Sequence, residues 1–214
     1  MPSLRSPIYL VTDRRQTAGR PLLVVIEQAL AAGVRAVQLR EPDLPTRELL
    51  DLAKDLRALT SKHRAQLLIN DRLDLALAVG ADGVHLRASS LPVAAARRVM
   101  GPERLVGVST HSVDEVMRAQ QDGADFAVLG PIYDTPSKRG FGAPIGLGAI
   151  EKAAAECRIP LFAIGGVSPS RAVELRRAGA SGVALISAVL SVPAVGEATA
   201  DLLRRWNDAA SVSA

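Results

Sequence analysis

Eight short aliphatic runs alternate with eight amphipathic stretches along 214 residues, and a glycine-led turn recurs at every second unit. Together these predict an α/β chain folded as a compact (β/α)8 TIM barrel. The runs cover 8–11, 36–39, 66–69, 83–86, 105–108, 126–129, 161–164 and 183–186. Most of their positions are apolar without alternation, as in parallel strands buried on both faces. The stretches at 21–32, 46–62, 72–79, 92–100, 113–121, 147–156, 170–178 and 194–207 space their apolar residues for helices with one buried face. The turn repeat begins at Gly33, Gly80, Gly123 and Gly179, and reads Gly-Ala-Asp at the second and third copies. In each copy a glycine stops a helix and a strand starts three or four residues later. An open, doubly wound sheet is the alternative; eight evenly spaced units favour closure. We expect one domain over 1–214, with the barrel at about 7–190, a last helix at 194–207 and a frayed tail.

Composition narrows the function. The chain is 48% hydrophobic with one Trp, two Tyr and three Phe, so its core is aliphatic and rich in alanine. Its formal charge of +4 comes mostly from scattered Arg, with no basic block interleaved with aromatics. That argues against nucleic acid and suits small anionic substrates. The single cysteine, Cys157, excludes an internal disulfide. The first residues, MPSLRSP, lack an apolar core, and no run has membrane-spanning length. The expectation is a cytoplasmic protein with no membrane partner. Its Ala- and Val-rich helix faces leave a homodimer open.

A parallel barrel works at the C-terminal ends of its strands. In chain order these ends carry Thr12-Asp13, Gln38 with Arg40, Asn70-Asp71, His85 with Arg87, Ser109-Thr110-His111, a long loop from Gly130, Gly165-Gly166, and Ile186-Ser187. The loop holds Thr135, Ser137, Lys138 and Arg139, followed by glycines at 140 and 142. Hydroxyls, cations and exposed backbone N–H groups in one loop suit a phosphate. Gly166, Ile186 and Ser187 occupy the position after strands seven and eight where barrels of this kind hold phosphate. His85, set between apolar residues, reads as a satisfied interior histidine, and His63 as solvent-exposed.

The runs YLVTD, VQLRE, LINDRLDLALAVGADGVHL, GVSTHS, LGPIYDTPSK, AIGGV and ALISA, in order from Tyr9 to Leu190, resemble the thiamine phosphate synthase and thiazole tautomerase superfamily. The resemblance implies enzymes of thiamine biosynthesis. One branch joins a pyrimidine diphosphate to a thiazole phosphate and uses Mg2+. The other moves a proton within a thiazole carboxylate phosphate and needs no cofactor. It also implies substrate-binding roles for Gln38, Arg40, Asn70, Ser109, Thr135, Ser137, Lys138, Gly166, Ile186 and Ser187, with Asp71 as a metal ligand in the synthase case.

Three positions depart from the synthase pattern. Pro42 stands in place of a lysine, Ser90 in place of the second metal carboxylate, and Arg87 brings a positive charge that would repel Mg2+. These departures, with the RASS-LP run and the extended loop, favour the tautomerase branch. Yet Pro131 replaces the histidine expected to move the proton there. His111 is then the first candidate acid/base group, because an imidazole titrates near working pH, and Asp71 the second. The sequence-level expectation is a tautomerase acting on a small phosphorylated thiazole. A Mg2+-dependent synthase and a non-catalytic binder are the alternatives.

Overall fold

The computed structural model describes residues 3–135 and 143–211. Its strands are β1 (Ile8–Val11), β2 (Ala36–Leu39), β3 (Gln66–Asn70), β4 (Gly83–Leu86), β5 (Leu105–Thr110), β6 (Phe126–Leu129), β7 (Leu161–Ala163) and β8 (Gly182–Leu185). They pair in sequence order, all parallel, and β8 returns to β1, closing the barrel. Between them run α1 (Leu22–Ala31), α2 (Thr46–Lys62), α3 (Leu73–Ala78), α4 (Val93–Met100), α5 (Val113–Gln121), α6 (Leu147–Glu156) and α7 (Pro169–Arg177), with α8 (Ser187–Leu190) and α9 (Val195–Ser211) after β8.

The strand alternation sorts two cores. Ile8, Leu10, Val37, Leu67, Ile69, Val84 and Val106 face outward into the layer shared with the helices. Tyr9, Val11, Ala36, Leu68, Leu105, Phe126, Val128, Phe162 and Ala184 point inward. Tyr9 meets Phe126 edge-on, with ring centroids 5.5 Å apart, and Phe126 meets Phe162 at 5.7 Å. A barrel with so few aromatics therefore spends three of them on its own axis, where large rings fill the space that aliphatics would leave. Gly107 makes the room: a Cβ there would stand 2.2 Å from the Phe126 ring.

The turn repeat has a physical role at the opposite end of the barrel. Asp82 donates its N–H to the Leu67 carbonyl and accepts the Leu67 N–H on Oδ2, at 2.9 and 2.8 Å. Asp125 makes the same pair with Val106, at 2.9 and 2.7 Å. Ser181 does so with Leu161 through its hydroxyl. Each side chain thus satisfies an N–H at the start of the preceding strand, on the second residue of β3 and of β5 and the first of β7. Arg57 and Arg97 then cover the two carboxylates.

Some expected boundaries move. β5 runs on through Ser109 and Thr110, because Thr110 pairs in register with Leu129. Ser187 opens a short helix where only a turn was expected, and α9 extends past residue 207 into the expected tail. His63 is not solvent-exposed: its side chain is 18% exposed, with Nε2 4.0 Å from Glu27 Oε1. Among the described residues no helix is long and apolar enough to cross a membrane.

Candidate active site

The floor of the barrel mouth is a buried polar chain. Gln38, 2% exposed on β2, donates Nε2–H to the Tyr9 hydroxyl at 3.0 Å. That hydroxyl lies 3.4 Å from His85 Nδ1 on β4, and His85 Nε2 lies 2.9 Å from Ser109 Oγ on β5. Four strands therefore contribute one connected set of hydrogen bonds. Burial, reinforced by the Arg40 charge, pushes the His85 imidazole down to about 3, so it stays neutral at ordinary pH. Burial likewise drives the Tyr9 phenol up, beyond any physiological titration.

Above this floor, β1 and β2 are tied at their ends. Thr12 donates its N–H to the Gln38 carbonyl, and its hydroxyl accepts the Arg40 N–H, each at 2.9 Å. The next residue, Glu41, is buried and receives the Arg14 N–H at 3.0 Å and the Arg14 guanidinium at 3.1 Å. Arg40 is thereby held at the rim, half-buried, and pairs with no carboxylate among the described residues.

Asn70 ends β3, and Asp71 follows it in the left-handed region at φ +64°. A non-glycine residue holds such a conformation only when its surroundings fix it. Here the Asp71 N–H donates to the His85 carbonyl at 2.9 Å. The Ser90 hydroxyl donates to Asp71 Oδ1, and the Arg87 guanidinium to Oδ2. Burial alone would raise the Asp71 carboxyl, but these two partners hold it below its ordinary value. Ser90 in turn accepts the Arg87 N–H at 2.8 Å, so the segment after β4 folds back as one turn onto a single carboxylate.

Across the barrel, the chain after β6 lies against the turn after β7. Ile132 and Tyr133 donate their N–H groups to the Ile164 and Gly165 carbonyls, at 2.9 and 3.1 Å. Gly165 and Gly166 take φ of +97° and +64°, and a Cβ on either would stand 2.7 Å from the backbone of Pro131 or Asp134. Only glycine serves at these positions. Arg171 locks the turn, donating to the Gly166 carbonyl at 2.6 Å with its guanidinium 4.4 Å from the Tyr133 ring centre. Beside it Ser187 is the first residue of α8, where the Val189 and Leu190 N–H groups turn back onto the Ile186 carbonyl at 3.1 and 2.9 Å. The Gly165-Gly166 turn and the start of α8 stand side by side at the ends of β7 and β8.

The expected residues thus fall into three groups. Gln38 and Ser109 lie on the floor, Arg40, Asn70 and Asp71 on the rim at β2–β3, and Gly166, Ile186 and Ser187 on the rim at β7–β8. Thr135 stands at the edge of the described chain, while Ser137 and Lys138 lie outside the described residues. His111 sits apart, half-exposed beside α5: its N–H donates to Glu115 Oε2 at 2.7 Å, and its Nδ1 lies 3.4 Å from the same oxygen. Sequence reasoning missed Tyr9 and Arg171. The Tyr9 signal was present, since strand alternation puts it on the same face as Val11.

A resident Mg2+ needs several oxygen ligands. Among the described residues no group of three or more His, Cys, Asp and Glu is placed to hold a metal, and both Asp71 oxygens are already engaged. As arranged, the residues do not fit a protein-held ion.

The fold is a closed (β/α)8 barrel with a buried polar chain beneath its mouth. The family described as Thiamine monophosphate synthase matches residues 8–189, and the chain belongs to it. A thiamine-phosphate synthase of Moorella thermoacetica is 44% identical over 89% of this chain and 91% of its own length. A Geobacter sulfurreducens relative, 52% identical over 87% of both chains, is named provisionally as the same enzyme. The thiamine phosphate pyrophosphorylase structure from Pyrococcus furiosus superposes with a TM-score of 0.86 at 35% identity, covering 94% of this chain and 96% of that one. These relatives overturn the expectation of a thiazole tautomerase and isomerase. The acid/base role given to His111 falls with that expectation. The chain is similar over most of its length to transferases.

Proposed function

We propose that this chain is a thiamine-phosphate synthase, joining a hydroxymethylpyrimidine diphosphate to a thiazole phosphate and releasing pyrophosphate. The observation that carries the reading is a pair of anion-suited regions facing each other across one barrel mouth. The Gly165-Gly166 turn and the start of α8 lie at β7–β8; Arg40 and Arg87 lie at β2–β4, on the opposite side of the closed ring. Two phosphorylated substrates need two such regions, and a single one would serve a reaction with one phosphate.

In this reading the thiazole phosphate is held by the N–H groups of Gly166 and Ser187 beside Ile186, with Thr135, Ser137 and Lys138 assigned to it on the resemblance. Removing a charged donor such as Lys138 would weaken that binding by ~1.5–3 kcal/mol. Gln38 and Ser109 from the floor, and Asn70 from the rim, present amide and hydroxyl groups to the pyrimidine. The bond from the pyrimidine methylene to the diphosphate oxygen breaks with its electron pair leaving on oxygen. The thiazole nitrogen lone pair forms the new bond to the methylene carbon. Binding both substrates over one rigid floor supplies the orientation such a substitution needs.

The test is direct. Purified protein receives the thiazole phosphate and the pyrimidine diphosphate, with Mg2+ or with EDTA, and thiamine phosphate is read as fluorescent thiochrome. Product formation in either condition supports the synthase. Tight binding of thiazole phosphate with no product in either would leave a binding protein and reject the proposal.

A further inference from the structure

We propose that Arg87 is a diphosphate-binding residue, which exchanges its Asp71 partner for phosphate oxygens so that this chain takes up the diphosphate without a protein-held divalent cation. The inference rests on the synthase reading for the identity of the substrate, and on the local geometry for the rest.

The segment after β4 is built to put a guanidinium at the mouth. Ser90 N–H donates to the Arg87 carbonyl at 3.0 Å, and Arg87 N–H donates to Ser90 Oγ at 2.8 Å, which closes the turn. The Arg87 side chain is 50% exposed, so its fork is reachable from solvent while resting on Asp71. Asp71 cannot follow it outward, because its backbone is pinned to His85 in a left-handed conformation.

The charge balance here favours an anion. Arg40, Arg72 and Arg87 stand at the ends of β2, β3 and β4. Arg72 is taken up by Asp74, at 2.6 and 2.9 Å. Arg87 rests on the Asp71 carboxylate and Arg40 pairs with no carboxylate among the described residues, an excess of positive charge at this rim. Two guanidinium forks match the oxygens of a diphosphate in shape as well as sign. A hard dication would instead meet one carboxylate already paired with Arg87, and a serine where a second carboxylate would serve. When the carbon–oxygen bond breaks, negative charge collects on the departing diphosphate, and a guanidinium already bonded there stabilises it. The step needs no proton, oxidant or further reactant.

Calorimetric titration with inorganic pyrophosphate in EDTA tests this on the intact chain. Wild type binds, and Arg87→Gln weakens binding ~10-fold or more, with Arg87→Lys between them because it keeps the charge and loses the fork. Thiazole phosphate, titrated as a control, binds Arg87→Gln and wild type alike, which also shows that the variant is folded. Asp71→Asn removes the competing carboxylate and tightens pyrophosphate binding ~3-fold or more in EDTA. Pyrophosphate binding that requires Mg2+, and that weakens in Asp71→Asn, would make Asp71 a metal ligand and overturn the proposal. Equal affinities in wild type and Arg87→Gln would do the same. Arg87-dependent pyrophosphate binding in a protein that forms no thiamine phosphate would instead remove the reaction proposed above and leave the diphosphate site standing.

Discussion

His85 Nε2 lies 2.9 Å from Ser109 Oγ, so a buried imidazole on β4 and a hydroxyl at the mouth act as one unit. The imidazole is kept neutral by its surroundings: burial, with Arg40 nearby, pushes it down to about 3. An unfolded histidine titrates near ~6.5, so below that pH the unfolded chain takes up a proton that the folded chain refuses. The stability this site contributes is complete above ~6.5 and is lost as pH falls toward the folded value, at up to ~1.4 kcal/mol per pH unit. Urea unfolding of wild type and His85→Gln at pH 7 and pH 5 reads it. Wild type should lose about 2 kcal/mol more than the variant over that interval. Parallel losses would mean that His85 is charged in the folded barrel.

The same chain of bonds predicts a tautomer. Gln38 donates to the Tyr9 hydroxyl, which leaves the hydroxyl proton for His85 Nδ1. The ring proton then sits on Nε2 and is donated to Ser109, freeing the serine proton for a ligand. Nitrogen-15 shifts of His85 should report the Nε2–H form. Tyr9→Phe deletes the middle member, strands two buried polar groups and should cost ~1–3 kcal/mol. A variant as stable as wild type, with unchanged ring shifts, would break the chain as drawn.

Asp125 accepts the Val106 N–H at 2.7 Å and carries the Arg97 guanidinium, with its side chain 6% exposed. Asp125→Ala leaves a buried N–H and an unpaired guanidinium, and should destabilise by ~2–4 kcal/mol in denaturant. Asp82→Ala makes the same deletion at a carboxylate 37% exposed, where water can replace the lost partner. It should cost roughly half as much. Equal costs would mean that burial does not set the value of the repeat.

Much of this was legible because the barrel is built from local rules. Apolar runs such as Phe126–Leu129 read as strands buried on both sides, and the Gly-Ala-Asp turns mark where helices end. The turn after β7 was legible for the same reason, since Gly165-Gly166 states a backbone conformation outright. What the sequence did not show were contacts between distant residues. Tyr9 and His85 lie 76 positions apart and meet only because the barrel closes. Nothing local says that Arg171 caps Gly166. Arg87 was readable as a charge that opposes Mg2+, but its seat on Asp71 depends on the fold of the Ser90 turn. Reading Pro42 and Ser90 as losses pointed to the wrong reaction; Ser90 is seated on Asp71, a contact its sequence position does not announce.

The Gly165-Gly166 turn offers the sharpest test of where the thiazole phosphate lies. A Cβ at residue 166 would be forced into φ +64° and within 2.7 Å of the Asp134 carbonyl oxygen. Backbone atoms cannot swing away as a flexible side chain can, so Gly166→Ala must shift the turn, at a cost of ~1–3 kcal/mol. At Gly148, in the first turn of α6, an added Cβ would have no atom within 4 Å, and the backbone has no unusual φ. Gly148→Ala should therefore stabilise by ~0.5–1 kcal/mol through helix propensity. Thermal unfolding separates the two, and calorimetry with thiazole phosphate then reads the site. Affinity should fall ~10-fold or more in Gly166→Ala, as expected for displaced charged hydrogen bonds, and stay unchanged in Gly148→Ala. Wild-type affinity in a folded Gly166→Ala protein would move the phosphate away from β7.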